Sequence, residues 1–344
     1  MRVGIIGGAG FIGINVAKHH LDKGDKVTIF DNFSRVGTRE NVHWLSQHHQ
    51  DKFEIVTADI RTDHEDLSLL ADRVEVLYHL AGQVTVTESV KNPREDFECN
   101  ALGTLNVLEA VRLSNAKPIV LYSSTNKVYG KLDDLELVEH EGAYRFKDLE
   151  HGVSEKRSLD FHSPYGCSKG TGDQYVIDYS RIYGLKTVVF RQSCIYGGRQ
   201  FGIEGQGWVA WFASRLLLGE PLNIFGNGIQ TRDVLFVDDL IHAYEKAIEN
   251  IDVAVGSAYN VGGGPENTFS LINLIKYIEE IAGKSLNLTY GKARPGDQLL
   301  FISDNRKALK ELGWKPEISK WNGVKMLMEV QERNIKEIQN PTLV

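Results

Sequence analysis

The sequence is poor in cysteine and in long apolar runs, and it has no excess of positive charge. Its three cysteines, Cys99, Cys167 and Cys194, fit neither a disulfide framework nor a metal clip by number or spacing. The apolar runs are far shorter than the roughly 20 residues that a membrane helix needs, and no apolar segment typical of a signal peptide opens the chain. These absences predict a cytoplasmic protein with reduced thiols, no metal site and no membrane contact.

The net charge of the chain restricts the kinds of ligand that are expected. Lys and Arg number 39 against 46 Asp and Glu, which gives a formal net charge of -7. This balance disfavours a broad nucleic-acid interface, so any phosphate-bearing ligand is expected to be small and held by a few placed arginines. With 344 residues, 42% of them hydrophobic, the chain is long enough for a large sheet domain and a smaller appendage.

Short apolar runs alternate with helical patterns through the first half of the chain. Their hydrophobicity is continuous rather than alternating, which is typical of parallel strands covered by helices on both faces. The predicted strands are residues 3–6, 26–30, 53–56, 76–80, 119–122 and 186–191. We therefore expect an α/β fold, a Rossmann-type doubly wound parallel sheet with a smaller mixed α/β C-terminal domain.

A glycine-rich turn follows the first predicted strand and opens a helix. In Gly7-Gly-Ala-Gly10-Phe-Ile-Gly13, backbone amides and the helix dipole can meet a pyrophosphate with no side chain between them. Asp31 ends the second strand, where a carboxylate can accept hydrogen bonds from an adenosine ribose and would repel a 2′-phosphate. The pattern predicts dinucleotide binding and favours NAD, while nearby Arg35 leaves NADP open. The residues expected at this site are Gly7, Gly10, Phe11, Ile12, Gly13, Asp31 and Arg35, joined at the carboxyl edge of the sheet by Asp59, Ile60, Leu80, Ala81 and Gly82.

The chain changes character after the fifth strand. Residues 130–163 are polar and charge-dense, which predicts a surface excursion rather than sheet. After Tyr196 the pattern is mixed, with helices expected around 208–218 and 269–282. We expect residues 1–195 to form the NAD-binding Rossmann domain with the catalytic residues. Residues 196–344 would be mainly a substrate-binding domain, with some segments returning to the Rossmann domain.

Tyr165-Gly-Cys-Ser-Lys169 places a phenol and an ammonium group four residues apart, so both project from one helix face. A nearby cation favours a tyrosinate, which lets Tyr165 take a hydroxyl proton while hydride leaves a sugar carbon. Such a pair also occurs by chance as solvated polar residues. However, Tyr122-Ser-Ser-Thr125 ends the fifth strand and delivers a hydroxyl to the same edge of the sheet. We predict that Thr125, Tyr165 and Lys169 are catalytic.

Several segments together carry a family resemblance. The glycine motif, YSST with VYG, YGCSK, and RPGDQ at 294–298 resemble extended short-chain dehydrogenases acting on nucleotide-sugars, nearly end to end. More narrowly, DNFSR, NVHWLS, HLAGQV, SSTNKVYG, LDFHSPYGCSKG and VVFRQSCIYGGRQFG resemble CDP-tyvelose 2-epimerases, also called CDP-paratose 2-epimerases. The resemblance implies an isomerase with tightly bound NAD that interconverts CDP-paratose and CDP-tyvelose through a transient 2-keto intermediate. CDP-glucose and CDP-mannose are an alternative pair, and a homodimer built on helices near 100–113 and 164–183 is expected.

The resemblance also implies roles for individual residues. Lys169 would hold the nicotinamide ribose and lower the pKa of Tyr165, and Ser193 would help to seat the nicotinamide. Further NAD contacts implied by the resemblance are Asn32, Ser34, Asn100, Tyr165, Lys169 and Ser193. The residues expected to bind substrate are Gln83, Asn126, His162, Arg199, Gln200, Phe201, Arg232, Arg294 and Asp297. For each arginine the alternative is a surface ion pair, and for His162 it is helix capping or packing.

Three other functions are compatible with parts of the pattern. A nucleotide-sugar 4,6-dehydratase uses an Asp-Glu pair directly after the catalytic Ser/Thr, where this chain has Asn126-Lys127, so that elimination is disfavoured. A nucleotide-sugar 4-epimerase needs the same hydride, the same tyrosine and a different sugar orientation, and it is the main alternative. An NAD-binding regulatory protein is the non-enzyme alternative, which the intact Thr125, Tyr165 and Lys169 disfavour.

Overall fold

Strands and helices alternate along the chain, of which the computed structural model describes residues 1–50, 52–293 and 298–339. The strands are β1 (Arg2–Ile6), β2 (Lys26–Asp31), β3 (Phe53–Thr57), β4 (Val76–His79), β5 (Ile119–Thr125), β6 (Leu137–His140), β7 (Ala143–Phe146), β8 (Thr187–Gln192), β9 (Cys194–Tyr196), β10 (Leu222–Phe225), β11 (Thr231–Phe236), β12 (Ser257–Val261), β13 (Thr268–Ser270), β14 (Leu288–Gly291) and β15 (Leu300–Phe301).

The helices lie between these strands, and one π turn, Glu98–Leu102, precedes the sixth of them. They are α1 (Phe11–Asp22), α2 (Thr38–His48), α3 (His64–Arg73), α4 (Val86–Lys91), α5 (Pro93–Phe97), α6 (Gly103–Leu113), α7 (Ser163–Tyr183), α8 (Trp208–Leu218), α9 (Val237–Glu249), α10 (Ile251–Ala254), α11 (Leu271–Ala282), α12 (Arg306–Leu312) and α13 (Lys320–Gln339). In the described ranges no helix is both long and apolar enough to cross a membrane.

Seven strands form one parallel sheet in the order β3-β2-β1-β4-β5-β8-β12. This confirms the predicted Rossmann-type fold. The strand order reverses between β1 and β4, and ligands of such sheets bind at the carboxyl ends of strands beside that reversal. The turn after β1 and the loop after β4 therefore face one crevice.

The continuous hydrophobicity of the strands follows from burial on both faces of the sheet. In β5, Leu121 packs into a cluster with α1, α2 and α9, while Val120 and Tyr122 pack into a second cluster with α3, α6 and α7. All three side chains are fully buried. Each such aliphatic side chain stabilises the fold by about 1.5–3 kcal/mol, so an apolar residue is favoured at every position of a central strand.

One predicted strand end is displaced in a way that matters for the site. The apolar run predicted a fifth strand over residues 119–122, whereas β5 continues to Thr125, which pairs with Gln192 of β8. This extension agrees with the expectation that Tyr122-Ser-Ser-Thr125 ends the strand, although its three polar residues carry no hydrophobic signal. The extension carries Thr125 to the carboxyl edge of the sheet.

The second lobe consists of smaller sheets and helices. β13, β11 and β15 form one sheet, β9 also pairs with β11, and β10 pairs with β14. The helix expected around 208–218 is α8, whereas the one expected from 269 begins at Leu271, because Ser270 caps it by accepting a hydrogen bond from the Asn273 N–H at 3.2 Å. β12 belongs to the large sheet, so the chain leaves that sheet after β8 and returns to it.

The prediction that residues 130–163 contain no sheet is wrong. β6 and β7 form an antiparallel hairpin. Leu137, Tyr144 and Phe146 of this hairpin join a small apolar cluster that includes Phe301. The charged residues between them face solvent, so the segment is a half-buried hairpin whose high charge density concealed its alternation.

Candidate active site

A cleft runs along the carboxyl edge of the large sheet, between it and the second lobe. It holds two adjoining cavities of about 450 and 380 Å³. The first, the glycine-side cavity, lies over the turn after β1 and the end of β2. The second, the tyrosine-side cavity, lies over the end of β5 and the start of α7. Both are lined by Phe11, Leu80, Gly82 and Gln200, so they form one continuous cleft.

The turn after β1 has no space for side chains at two of its glycines. A Cβ on Gly7 would lie 2.6 Å from the Ala81 nitrogen, and one on Gly13 would lie 2.3 Å from the Gly7 oxygen. Gly7 also has a φ of 79°, which favours glycine. No side chain caps α1, so the free N–H groups at its start are available to an anion. This arrangement fits the pyrophosphate of a dinucleotide.

Asp31 lies at the end of β2, beside the glycine turn. Its carboxylate accepts hydrogen bonds from the N–H groups of Ala9 at 3.0 Å and Phe33 at 2.8 Å. Burial raises the pKa of Asp31, and these two N–H donors oppose the rise. Each oxygen keeps an acceptor site for a ribose hydroxyl. Arg35 enters the same cavity and donates to the Gln206 side chain.

Asp59 is fixed within the same cavity. Arg61 donates to both carboxylate oxygens, and Asn32 donates to one of them at 2.9 Å. The hydrogen bonds from Arg61 hold the pKa of Asp59 at about 2, so it stays ionised. The predicted NAD contacts that line the glycine-side cavity are Gly7, Gly10, Phe11, Ile12, Gly13, Asp31, Asn32, Ser34, Arg35, Asp59, Ile60, Leu80, Ala81 and Gly82.

Thr125, Tyr165 and Lys169 meet in the tyrosine-side cavity. Thr125 ends β5, and the other two lie one turn apart at the start of α7, which packs on β5. Thr125 lies close enough to Tyr165 to lower the pKa of its phenol, against the larger effect of burial. The Lys169 ammonium lies 4.3 Å from the centre of the Tyr122 ring. The three groups thus share one buried surface.

Burial shifts the acidity of the Tyr165 and Lys169 side chains in opposite directions. It raises the pKa of Tyr165 to about 12, an effect that Thr125 opposes. It lowers the pKa of Lys169 to about 8, which nearby Cys99, Asp173 and Asp96 oppose. Burial of the phenol outweighs the opposing effects of Thr125 and Arg35, so the pKa of Tyr165 lies above its ordinary value. That Lys169 lowers this pKa stays a prediction. Lys169 itself remains mostly protonated at neutral pH.

Sequence reasoning missed Asp96, a buried carboxylate close enough to Lys169 to oppose the fall in its pKa. Asp96 is 1% exposed and accepts hydrogen bonds from Ser168 at 2.5 Å and Asn100 at 3.2 Å. Asn100, which was expected to contact NAD, lines neither cavity of the described chain and instead bonds to both backbone groups of Gln83. This network joins the loop after β4 to α7. From the sequence alone, Asp96 cannot be distinguished from a solvent-exposed acidic residue of a short helix.

A buried ion pair between α7 and β8, the elements next to Thr125, Tyr165 and Lys169, was also missed. Arg191 of β8 donates two hydrogen bonds of 2.9 Å to Asp173 of α7, which also accepts one from Ser124 at 2.7 Å. Arg191 further donates to the Tyr129 hydroxyl at 3.1 Å. Because Asp173 is fully buried and Arg191 is 5% exposed, this pair fixes α7 against β5 and β8.

Three of the predicted substrate residues line the tyrosine-side cavity: Asn126, Gln200 and Arg232. Asn126 is buried and accepts a hydrogen bond from Thr125 at 3.3 Å. Arg232 donates to two backbone carbonyls. The Gln200 amide nitrogen donates to a backbone carbonyl at 3.2 Å, and its buried oxygen has no partner in the described part of the chain. A buried acceptor without a partner fits a ligand donor.

The other predicted substrate residues lie elsewhere. Gln83, Arg199 and Phe201 line the glycine-side cavity. His162 precedes α7 without capping it through its side chain, and it is not among the residues that line either cavity in the described ranges. Two residues, Arg294 and Asp297, lie outside the described residues.

Ser193 lines the tyrosine-side cavity, but its hydroxyl is engaged. It donates to the carboxylate of Asp233, a fully buried residue. Asp233 also accepts hydrogen bonds from the N–H groups of Ser303 and Gly264, each at 3.1 Å. The position of Ser193 is therefore set by the second lobe.

The remaining wall of the tyrosine-side cavity was not identified from sequence. The loop after β4 contributes residues 84–87, α8 contributes Trp208 and Trp211, and β10 contributes Asn223 and Phe225. Residues 84–87 follow a parallel strand, and that position could have identified them as part of the site. The pattern around Trp208 and Trp211 indicated only the apolar side of a helix. In the described ranges no cluster of His, Cys, Asp or Glu side chains is suited to hold a metal ion.

The sequence and the fold have counterparts among known proteins. A family model described as GDP-mannose 4,6 dehydratase matches residues 5–327. The CDP-paratose 2-epimerase of Salmonella typhi is 44% identical over 335 residues, which is 96% of this chain and 98% of that protein.

Two solved structures superpose over nearly the whole chain. The UDP-glucose 4-epimerase of Thermotoga maritima, solved with UDP-glucose, has a TM-score of 0.82 and 31% identity, covering 97% of this chain and 100% of its own. The UDP-glucuronic acid 4-epimerase of Bacillus cereus, in complex with UDP-glucuronic acid and NAD, has a TM-score of 0.82 and 27% identity, with the same coverage. The chain belongs to the family that the GDP-mannose 4,6 dehydratase model represents, the extended short-chain dehydrogenases that modify nucleotide-sugars.

Proposed function

We propose that this protein is an NAD-dependent isomerase that inverts C2 of a CDP-sugar, with CDP-paratose and CDP-tyvelose as its substrate pair. CDP-glucose and CDP-mannose are a second pair to test. The observation that carries the proposal is the convergence of Thr125, Tyr165 and Lys169 in a cavity continuous with the glycine-side cavity. Similarity to the Salmonella typhi CDP-paratose 2-epimerase supports the choice of nucleotide and of carbon.

The cofactor of this enzyme is NAD. The amides around Gly7 and Gly13 would bind its pyrophosphate, and Asp31 would accept hydrogen bonds from its adenosine ribose. When bound, NAD accepts the hydrogen that leaves the sugar carbon and returns it later. In this division of labour, residues 1–195 bind NAD and carry the catalytic side chains, while residues 196–344 mainly bind the sugar nucleotide.

Tyr165 handles the proton of the sugar hydroxyl. As a phenolate it takes the proton from O2 while C2 is oxidised to a ketone, and it returns a proton to O2 after the ketosugar has presented its opposite face. The Thr125 hydroxyl orients the Tyr165 phenol and the O2 hydroxyl of the sugar. Lys169 is the cation one helical turn away that favours the phenolate. Over one cycle no proton or electron is gained or lost, and only the configuration at C2 changes.

A nucleotide-sugar 4-epimerase is the second candidate. The two solved structures compared above are 4-epimerases. Thr125, Tyr165 and Lys169 would serve equally at C4 if the sugar were turned in the cavity. A 4,6-dehydratase is disfavoured because Asn126, beside Thr125, is an amide and cannot act as the acid that removes water.

We further propose that the protein is a cytoplasmic homodimer that pairs through α6 and α7. Apolar side chains at the ends of these helices remain exposed, with Leu113 69%, Ile182 62% and Tyr183 51% accessible. Such a cluster is typical of an interface between subunits. The three unpaired cysteines fit a reducing compartment. Sedimentation of the protein and of Ile182→Glu tests the pairing, since the variant should sediment as a monomer.

The function is tested by proton NMR of purified protein with NAD and CDP-paratose, and separately with CDP-glucose. Formation of CDP-tyvelose, or release of mannose after hydrolysis of the CDP-glucose reaction, establishes inversion at C2. Galactose would indicate a 4-epimerase, and a 4-keto-6-deoxy product a dehydratase. Substrate deuterated at C2 should keep its label, whereas exchange into water would indicate enolisation. Absence of conversion of both CDP-sugars would contradict the proposal.

A further inference from the structure

A segment of the second lobe crosses the glycine-side cavity opposite the glycine turn. This segment, residues 199–207, follows β9 and is called the strap below. Its side chains at Arg199, Gln200, Phe201, Ile203 and Gln206 line the same cavity as Gly7, Asp31 and Asp59. The strap is therefore a wall of the cavity that fits NAD, although Arg199, Gln200 and Phe201 were expected to bind the sugar nucleotide.

Arg199 attaches the strap to α2. Its guanidinium donates to the Asn41 side chain at 3.1 Å and lies 4.9 Å from the ring of Trp44. Asn41 in turn donates to the carbonyl of Ala9 in the glycine turn at 3.1 Å. Arg199 also has a φ of 64°, a backbone conformation that a non-glycine residue keeps only where its surroundings hold it. The attachment thus reaches from the strap through α2 to the turn.

Phe201 makes a second attachment, at the start of α2. A Cβ placed on Gly37 would lie 2.2 Å from Cδ2 of the Phe201 ring, so the ring lies directly on the glycine backbone. The Arg199 guanidinium lies 5.7 Å from the centre of the same ring. Farther along the strap, Arg35 donates a hydrogen bond to Gln206. Ile203 and Gln206 exchange two backbone hydrogen bonds that keep the strap folded as a tight turn.

We propose that the strap, attached to α2 through Arg199 and Phe201, retains NAD in the enzyme, and that these two side chains act on the cofactor rather than on the sugar nucleotide. The need for retention rests on the proposed function. An epimerase must return the hydride to the same sugar from which it was removed. If the reduced cofactor dissociated before that step, the ketosugar could not be reduced and turnover would stop. The strap must leave α2 before this side of the cavity can open.

The test is the rate at which radiolabelled NAD leaves the protein when an excess of unlabelled NAD is added, measured without any sugar nucleotide. In the double variant Arg199→Ala/Phe201→Ala, release should be at least about tenfold faster, because a cation–π contact and an aromatic contact are both removed. The KM for the CDP-sugar, measured at saturating NAD, should be unchanged. Because release is measured without substrate, the result stands even if the reaction proves to be a 4-epimerisation.

Matched controls come from exposed residues far from the cleft. Arg2→Ala removes an arginine at the amino edge of the sheet, and Tyr290→Ala removes an aromatic side chain that is 60% exposed. Both should release NAD at the wild-type rate. If the double variant is poorly folded, Arg199→Lys gives the same test in milder form, since it keeps the charge but loses the planar contact with Trp44. Release of NAD at the wild-type rate from both the double variant and Arg199→Lys would overturn the proposal. A raised KM for the CDP-sugar with unchanged NAD release would overturn it too.

Discussion

The two cavities of the cleft are built from different materials. The glycine-side cavity centres on one backbone turn, in which Gly7 and Gly13 have no space for another atom, and the ends of β2 and β3 and the strap line its other sides. The tyrosine-side cavity is formed by side chains of distant segments, with Tyr165, Lys169 and Asp96 in a buried network of charges and hydrogen bonds. The space around the backbone is the main constraint on the first cavity, and a buried network of charges is the main constraint on the second. Substitutions on the two sides should therefore affect different measurements.

The largest expected effect is on turnover in Tyr165→Phe. Removing the proposed proton carrier at O2 should lower kcat by about 10³–10⁴-fold, at the upper end of what acid–base groups contribute. The bound NAD per protein, measured after denaturation, should equal that of the wild type because the glycine turn is untouched. Tyr290→Phe is the control. Loss of NAD together with turnover would break the division between the cavities.

Gly13→Ala should have the next largest effect, and on the opposite measurement. The added Cβ would meet the Gly7 carbonyl at 2.3 Å, so the turn must shift away from the pyrophosphate position. We expect the Kd for NAD to rise by about 100-fold, which corresponds to the 1–3 kcal/mol typical of overpacking. Calorimetric titration with NAD measures it. Gly198→Ala, where the nearest atom would lie 3.9 Å away, is the control and should bind NAD normally.

Lys169→Met should separate stability from activity on the electrostatic side. Because burial lowers the pKa of Lys169 to about 8 from its ordinary value of 10.5, keeping the ammonium charged costs stability in full below pH 8. This cost disappears as the pH rises through 10.5. The variant should lose activity but be more stable than the wild type at pH 7, by about 3 kcal/mol at most.

Urea unfolding at several pH values checks the sign of this effect. The stability difference between Lys169→Met and the wild type should shrink from pH 8 to pH 10.5, because the wild type regains stability over that range. A variant that is less stable than the wild type at pH 7 would mean that Lys169 is a net structural contact.

The smallest effect is expected in Asp96→Asn, which keeps the shape of the side chain and removes one negative charge. The pKa of Lys169 should fall further, since Asp96 is one of the charges that oppose the effect of burial. Turnover should then decline at a lower pH than in the wild type, with about threefold less activity at pH 8.5 and little change at pH 7. Glu139→Gln, at an exposed position, is the control. An unchanged pH profile would show that Asp96 acts only through hydrogen bonds.

The parts of this molecule that could be predicted from sequence carry local signals. The glycine turn is seven consecutive residues, and Tyr165 and Lys169 share one helical turn. The parts that could not be predicted depend on distant packing. Asp96 is recognisable only once Ser168 lies against it. Arg199 was expected to bind the sugar nucleotide, and its place in the glycine-side cavity could not be predicted because it depends on Asn41 and Trp44 in another lobe.

The late return of the chain to the large sheet at β12 has a consequence for synthesis on the ribosome. β8 pairs with β5 on one side and β12 on the other, and residues 257–261 are translated only after residues 196–256 of the second lobe. Until they emerge, β8 is an unpaired edge with buried-type side chains on both faces, which is a template for aggregation. A fragment that stops at residue 195 would keep this edge permanently, so the nascent first lobe depends on the second for its solubility.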